Sequence, residues 1–272
     1  MKIFISADIE GVAGVVSKLQ ALAGERDFES GRRLMTLEVN AAVDGACRGG
    51  ANEVVVCDAH ADMQNLLPEE LDARARLVRG AIRESLQMEG IDGSFAGVFV
   101  TGAHAAAGTQ RGVLDHTWVS SSVFDISLEG TVLNETVLNA YVAGYHGVPV
   151  LLVSGDDVTI EQSEPFLSGV MGVRVKRGIS RYAAESLHPT VARERIREAA
   201  QEAVRGASGV RPLQVPDPLT MDITFLRTDM ADAAALVPGV LRTAARSIRY
   251  VGAPLDVFRL QELILYRLRF EL

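Results

Sequence analysis

Five side chains have the types and spacing to hold metal ions: Asp8, Glu10, His60, His104 and Glu135. In an extended segment the side chains of Asp8 and Glu10 point to one face, so the two carboxylates can converge on one ion or serve one each of two. A lone Asp-x-Glu is also an ordinary solvated loop pair. Imidazole suits zinc, and His60 and His104 each follow an apolar run and a small residue, Ala59 or Ala103, that leaves room for a ligand. Singly, each reads as a structural histidine; together, at equivalent positions after two strands, they point to a metal. Glu135 stands three and seven residues before Leu138 and Val142, on the apolar side of a helix pattern. An inward carboxylate needs a proton, a cation or several donors, although a capping role in the first helical turn is the competing reading. Two nitrogen and three carboxylate ligands exceed what one tetrahedral zinc takes from protein. Two metals roughly 3.5 to 4 Å apart would polarise a carbonyl and lower the pKa of a bound water, as in many aminopeptidases and phosphoesterases.

Positioning such a set requires strands that end side by side. Residues 2 to 7 form a short Ile- and Phe-rich run that stops at Asp8. A helix pattern over 29 to 48 is stopped by Gly49-Gly50, and a strand over 53 to 57 runs into Asp58-Ala59-His60. A helix around 84 to 89 and a strand over 95 to 101, ending in Gly102-Ala103-His104, repeat the unit. Strand and helix alternation implies parallel pairing through right-handed crossovers, hence a layered α/β fold. In such sheets ligands bind at the carboxyl ends of the strands, where Asp8, His60 and His104 fall. Further on come a helix over 134 to 145, strands over 148 to 153 and 173 to 176, and a charged amphipathic helix over 189 to 205. The Gly- and Pro-rich stretch 206 to 218 is the best boundary candidate. It separates a catalytic α/β unit, 1 to 205, from a smaller α+β portion, 206 to 272, read as strand 220 to 227, helix 229 to 236, strand 240 to 250 and helix 254 to 269.

Composition narrows the function classes. At 272 residues with 48% apolar and 23% charged residues, the chain has the means to bury a core. A net charge of -8 with no basic face argues against nucleic acid. Asp8 falls too early for a signal peptide, and no stretch approaches the roughly 20 apolar residues of a membrane span. Cys47 and Cys57 lack metal-type spacing and are expected to be buried small hydrophobes in a reducing, cytoplasmic setting.

The motifs Ser6-x-Asp8-x-Glu10-Gly11, Asp58-x-His60, Gly102-x-His104, the helix Leu138-Asn139-Ala140-Tyr141-Val142-Ala143-Gly144-Tyr145, and Gly155-Asp156-Asp157 occur in an order that resembles the DppA-type zinc D-aminopeptidases. The resemblance runs from residue 1 to about 185. It implies a three-layer α/β/α sandwich with a mixed, largely parallel sheet, and two zinc ions per subunit bridged by Asp8. It also implies hydrolysis of the amino-terminal, preferentially D-, residue from small peptides, a link to dipeptide transport, and homo-oligomers that can be decamers, with active sites facing an internal chamber. The family's Gly-Val-x-x-His pattern is matched by Gly112-Val113-Leu114-Asp115-His116. There His116 would stabilise the tetrahedral intermediate or move a proton; the residues alone make it a loop histidine. Asp58, Asp156 and Asp157 are either orienting carboxylates or plain loop residues, and His146 and His188 read as structural or surface groups. Two departures stand out: Ala103 where members often carry tyrosine, and Asp115 where a smaller residue is usual. The last 60 residues or so match only in rough pattern. Competing functions are a two-metal amidase or phosphoesterase, against which stands the lack of a Gly-rich phosphate cradle after Asp8, and a non-catalytic binding protein linked to dipeptide uptake.

Overall fold

The computed structural model describes residues 1 to 268. Its strands are β1 (Lys2–Ala7), β2 (Glu53–Asp58), β3 (Ala75–Val78), β4 (Gly97–Ala103), β5 (Val123–Leu128), β6 (Thr131–Val132), β7 (Val150–Asp156), β8 (Met171–Ser180), β9 (Ala183–Ser186), β10 (Leu219–Phe225), β11 (Leu241–Ala244) and β12 (Ser247–Gly252). The helices are α1 (Lys18–Ala21), α2 (Phe28–Gly49), α3 (Glu135–Tyr145), α4 (Asp157–Ser163), α5 (Pro189–Gly206), α6 (Thr228–Ala234) and α7 (Pro254–Glu262).

Seven strands form the central sheet in the order β3-β2-β1-β4-β7-β8-β9, parallel throughout except for the antiparallel β8–β9 hairpin. Alternation along β1 divides the core. Ile3 and Ile5 pack with α2 and α5, whereas Phe4 faces Val55, Val98, α3 and α7. Helices therefore cover both faces, which is the three-layer α/β/α arrangement expected. The far layer is extended by a five-stranded antiparallel sheet in the order β11-β12-β10-β5-β6. In it β10 pairs with β5, so strands from before and after the 206 to 218 stretch share one sheet and one core. The chain steps from β1 outward through β2 and β3, then returns to the other side of β1 for β4, β7 and β8. That reversal opens a crevice beside the carboxyl end of β1, the usual ligand position in such sheets.

Several elements differ from the sequence expectation. Residues 84 to 89 are no α-helix: only a 3-10 turn, Leu86–Met88, forms there, with Leu86 at φ 50°. A segment so short cannot offset helix nucleation by itself and takes the shape that its buried side chains impose. The expected strand over 240 to 250 is the β11–β12 hairpin. The expected helix over 254 to 269 is α7 followed by a π-helical turn, Leu263–Arg267, with residue 269 outside the described residues. Edge strand β3, the β5–β6 hairpin and helix α4 were not anticipated. Within the carboxyl-terminal stripe, Leu260 and Ile264 are internal core and Leu263 is exposed. Cys57 is buried as expected, whereas Cys47 is only half-buried.

Candidate metal centre

The ends of β1 and β4 meet backbone to backbone. The Asp8 N–H donates to Thr101 O at 2.9 Å and the Gly11 N–H to Gly102 O at 2.7 Å. A Cβ on Gly11 would lie 2.0 Å from the Ala103 carbonyl oxygen, and one on Gly102 would lie 2.0 Å from that of Asp8. Gly102 also has φ +68°, so only glycine meets both demands there. This contact brings Asp8, Glu10 and His104 together. At the end of β2, the buried Asp58 accepts the Asn65 and Leu66 N–H groups at 2.6 and 2.7 Å, and the Asn65 side chain donates to both Asp58 and the His60 carbonyl. Asp58 thus fixes the loop that carries His60.

All five expected metal ligands converge and all are buried. Asp8 presents a different oxygen to each histidine: Oδ1 lies 3.0 Å from His60 Nδ1, and Oδ2 lies 3.4 Å from His104 Nε2. Glu10 Oε2 is 3.0 Å from the same His60 Nδ1, and Glu135 Oε1 is 3.3 Å from His104 Nε2. The outer nitrogens are tied to backbone. His60 Nε2–H donates to Ala21 O at 2.7 Å and His104 Nδ1–H to Ala105 O at 3.1 Å. Carbonyl partners of this kind fix the tautomer and aim the opposite nitrogen inward. Glu10 Oε2 and His104 Nε2 are buried without any hydrogen-bond partner among the described residues. Ligand atoms of Asp8, Glu10 and His104 all lie within 4.8 Å of one another, and buried polar atoms left unbonded in such a cluster are costly unless a cation joins them.

Electrostatics point the same way. Burial alone would raise the Asp8 carboxyl, but the adjacent imidazoles of His104 and His60 outweigh it and hold the group well below its usual range. Burial would likewise lower the histidines. Glu10 and Asp8 nevertheless drive His60 well above its ordinary value, and Glu135 and Asp8 do the same to His104. Three carboxylates in so small a volume demand positive charge, and divalent ions supply it in exchange for the imidazole protons. Nitrogen and carboxylate donors in this ratio suit zinc.

Glu135 opens α3, but the capping role belongs to Asn134, whose side chain accepts the Val137 N–H at 3.0 Å. Glu135 is held by other donors: the Trp118 N–H to Oε1 at 2.6 Å and Gln87 Nε2 to Oε2 at 2.5 Å. Asn139, one turn along the same helix face, donates to Gln87 Oε1 at 2.6 Å and fixes its orientation. Gln87, Asn139 and Trp118 went unrecognised in the sequence. Only Asn139 carried a signal, as a polar residue four positions after Glu135 on a buried face.

His116 stacks on His104 with ring centroids 4.0 Å apart. Its Nδ1–H donates to Leu114 O at 2.9 Å, and its Nε2 lies 4.0 Å from Glu135 Oε1. That places Nε2 close enough to join His104 and Glu135 as a ligand set, or free to act beside one. The loop is anchored by Asp156, which accepts the Val113 N–H at 2.9 Å while capping α4. Asp157 accepts from Gly178 N–H and Arg111. His146 ends α3 and His188 caps α5.

Behind the site, the buried ammonium of Lys176 donates to the carbonyls of Glu10, Val12 and Val15. The buried Glu38 accepts the Ala13 N–H at 2.9 Å. Together they pin the loop that presents Asp8 and Glu10. In front lies a cleft of about 340 Å³, walled on one side by Leu265 and Tyr266 from the carboxyl-terminal segment. Burial, with the negative charge of Glu135 nearby, holds the Tyr266 phenol well above its ordinary range. Trp118 Nε1–H donates to Gln261 Oε1 of α7 at 3.0 Å, tying that segment to the site.

Comparison with known proteins identifies the family. The chain is 35% identical over 251 residues to a D-aminopeptidase of Bacillus subtilis (strain 168), an alignment spanning 92% of this chain and 91% of the relative. Its fold superposes with a TM-score of 0.95, at 33% identity and covering both chains completely, on the structure described as the Zn-dependent D-aminopeptidase DppA from Bacillus subtilis, a self-compartmentalizing protease. The model of the D-aminopeptidase family, peptidase family M55, matches residues 1 to 262, and the chain belongs to that family.

Proposed function

We propose that this protein is a zinc aminopeptidase that removes the amino-terminal, preferentially D-configured, residue from small peptides or aminoacyl amides. The observation that carries the reading is Asp8, whose two oxygens each face a different histidine. A carboxylate so placed suits a bridge between two ions, with Glu10 and His60 on one side and His104 and Glu135 on the other. Two zinc ions held there would polarise the scissile carbonyl and activate a water at neutral pH.

The protein's own groups do the rest. With Nδ1–H committed to Leu114 O, His116 offers Nε2 to the cleft, where it can take a proton or return one to the leaving amine. In its protonated form the same atom can donate to a developing oxyanion. Leu114, Trp118 and Leu265 line the cleft and exclude water from the reacting bond. Asp58, Gln87 and Asn139 keep the histidine and glutamate ligands aimed inward. The D-preference, a homo-oligomeric chamber of up to ten subunits, and a cytoplasmic setting follow by analogy with the family. Among the described residues, no helix is long and apolar enough to cross a membrane.

Metal analysis of the purified protein, with a screen of D- and L-aminoacyl amides and dipeptides, tests the proposal. About two zinc equivalents per chain and turnover of D-substrates are expected. Protein that binds zinc yet cleaves none of these substrates would overturn it.

A further inference from the structure

A second pocket of about 160 Å³ adjoins the cleft and shares His116, Ser120 and Arg181 with it. Its outer walls include Val123, Phe124 and Leu226, and the last two are partly exposed apolar side chains. Arg181, in the turn between β8 and β9, stands where the two spaces join. Its guanidinium is positioned rather than free: Nη1 donates to the buried Asp115 Oδ1 at 2.6 Å, and Nε donates to Tyr182 Oη at 3.3 Å. Its carbonyl accepts the Leu114 N–H at 2.8 Å, which ties the turn to the His116 loop. Nη2 has no hydrogen-bond partner among the described residues and remains available to a ligand. Asp115, which replaces the smaller residue usual in the family pattern, is the group that holds this arginine in place.

We infer that Arg181 recognises the free carboxylate of the residue released by cleavage, whose side chain occupies the pocket formed by Val123, Phe124 and Leu226. The inference rests on the aminopeptidase reading. With the scissile bond at the metal cluster and the leaving amine at His116, the chain of the substrate passes His116 toward the second pocket. In a dipeptide the carboxylate then lies one residue beyond the scissile bond, beside the guanidinium. A planar fork already fixed on one side is suited to a carboxylate on the other. The site would thereby select dipeptides over longer chains and over peptides blocked at the carboxyl end.

The test compares D-alanyl-D-leucine with its carboxamide on the zinc-loaded protein. The wild type is expected to favour the free acid by on the order of 10- to 100-fold in kcat/KM, chiefly through KM. Arg181→Gln should bring that ratio close to one. Because this change leaves Asp115 without its cation, the double variant Asp115→Asn/Arg181→Gln should give the same ratio. A wild type with no preference, or a preference that survives in both variants, would overturn the inference. A second arm uses N-acetyl-D-leucine and its carboxamide, which offer an aminopeptidase no free amine, and reads the ratio of their Kd values. Preference for the acid there, without turnover of any peptide, would sink the aminopeptidase reading and leave the carboxylate site standing. Turnover without that preference would do the reverse.

Discussion

Glu38 should make stability depend on pH in a direction opposite to that of most carboxylates. It is fully buried on α2, with one oxygen on the Ala13 N–H and the other unpartnered among the described residues. Burial pushes its carboxyl from the ordinary 4.5 up to about 7, against the opposing pull of the Ala13 N–H and the charges of Lys176 and Arg193. Between these values the folded chain holds a proton that the unfolded chain has released. Stability therefore falls as pH rises through this window and levels off above it. At about 1.4 kcal/mol per pH unit the full effect is about 3 kcal/mol, of which about 2.5 kcal/mol falls between pH 5 and pH 8. Glu38→Gln keeps the size of the protonated group and removes the titration. Urea unfolding of both proteins at pH 5 and pH 8, at matched protein and zinc concentrations, should show the variant gaining about 2.5 kcal/mol on the wild type at the higher pH. A uniform loss from an imperfect amide hydrogen bond would cancel in that difference. An equal gap at the two pH values would refute the reasoning.

Four further outcomes are expected. Asp8→Ala should lose more than one of about two zinc equivalents, because both ions share that carboxylate; inductively coupled plasma analysis showing one equivalent in the wild type, unchanged by the substitution, would end the dinuclear model. His116→Ala should keep its zinc and its fold while turnover falls on the order of 10²-fold or more, whereas loss of zinc in step with activity would make His116 a ligand. Gln87→Ala removes a donor from Glu135 and should weaken zinc binding by roughly 10- to 100-fold in chelator competition; unchanged affinity would mean that the Trp118 N–H suffices. Sedimentation at micromolar concentration should give a mass several times that of the 29.2 kDa chain, and a monomer would count against the chamber.

The convergence of the five candidate side chains was legible because Asp8, His60 and His104 each follow an apolar strand, and parallel strands place their carboxyl ends together. The groups that aim those ligands were not legible. Gln87 lies in a turn with no periodic pattern, and its partners Glu135 and Asn139 are about 50 residues away, so only the folded chain joins them. Lys176 looked like one more charge in a strand, yet it is buried and bonded to three carbonyls of the loop that presents Asp8 and Glu10. Strand β5 alternates polar and apolar residues only from Asp125 to Leu128, too short a run to read as a one-sided strand, and its partner β10 comes some 90 residues later. The carboxyl-terminal stripe was ambiguous for a related reason: helical spacing states that a face is apolar, not whether it meets the same chain or another one.

The contact of Gly11 with Ala103 and of Gly102 with Asp8 bears on how this site can change over evolutionary time. The distance between Asp8 and Glu10 on one side and His104 on the other is set by two peptide backbones in contact, not by the length of any side chain. Substitution at Asp8, Glu10 or His104 can therefore alter which atoms face the cluster while the scaffold keeps its spacing. A change of spacing has no such gradual route, since the first added methyl group at either glycine would force two central strands apart. Descendants of this fold are thus free to explore new donor chemistries and new cleft walls, but they inherit the interval between the ends of β1 and β4 as a fixed quantity.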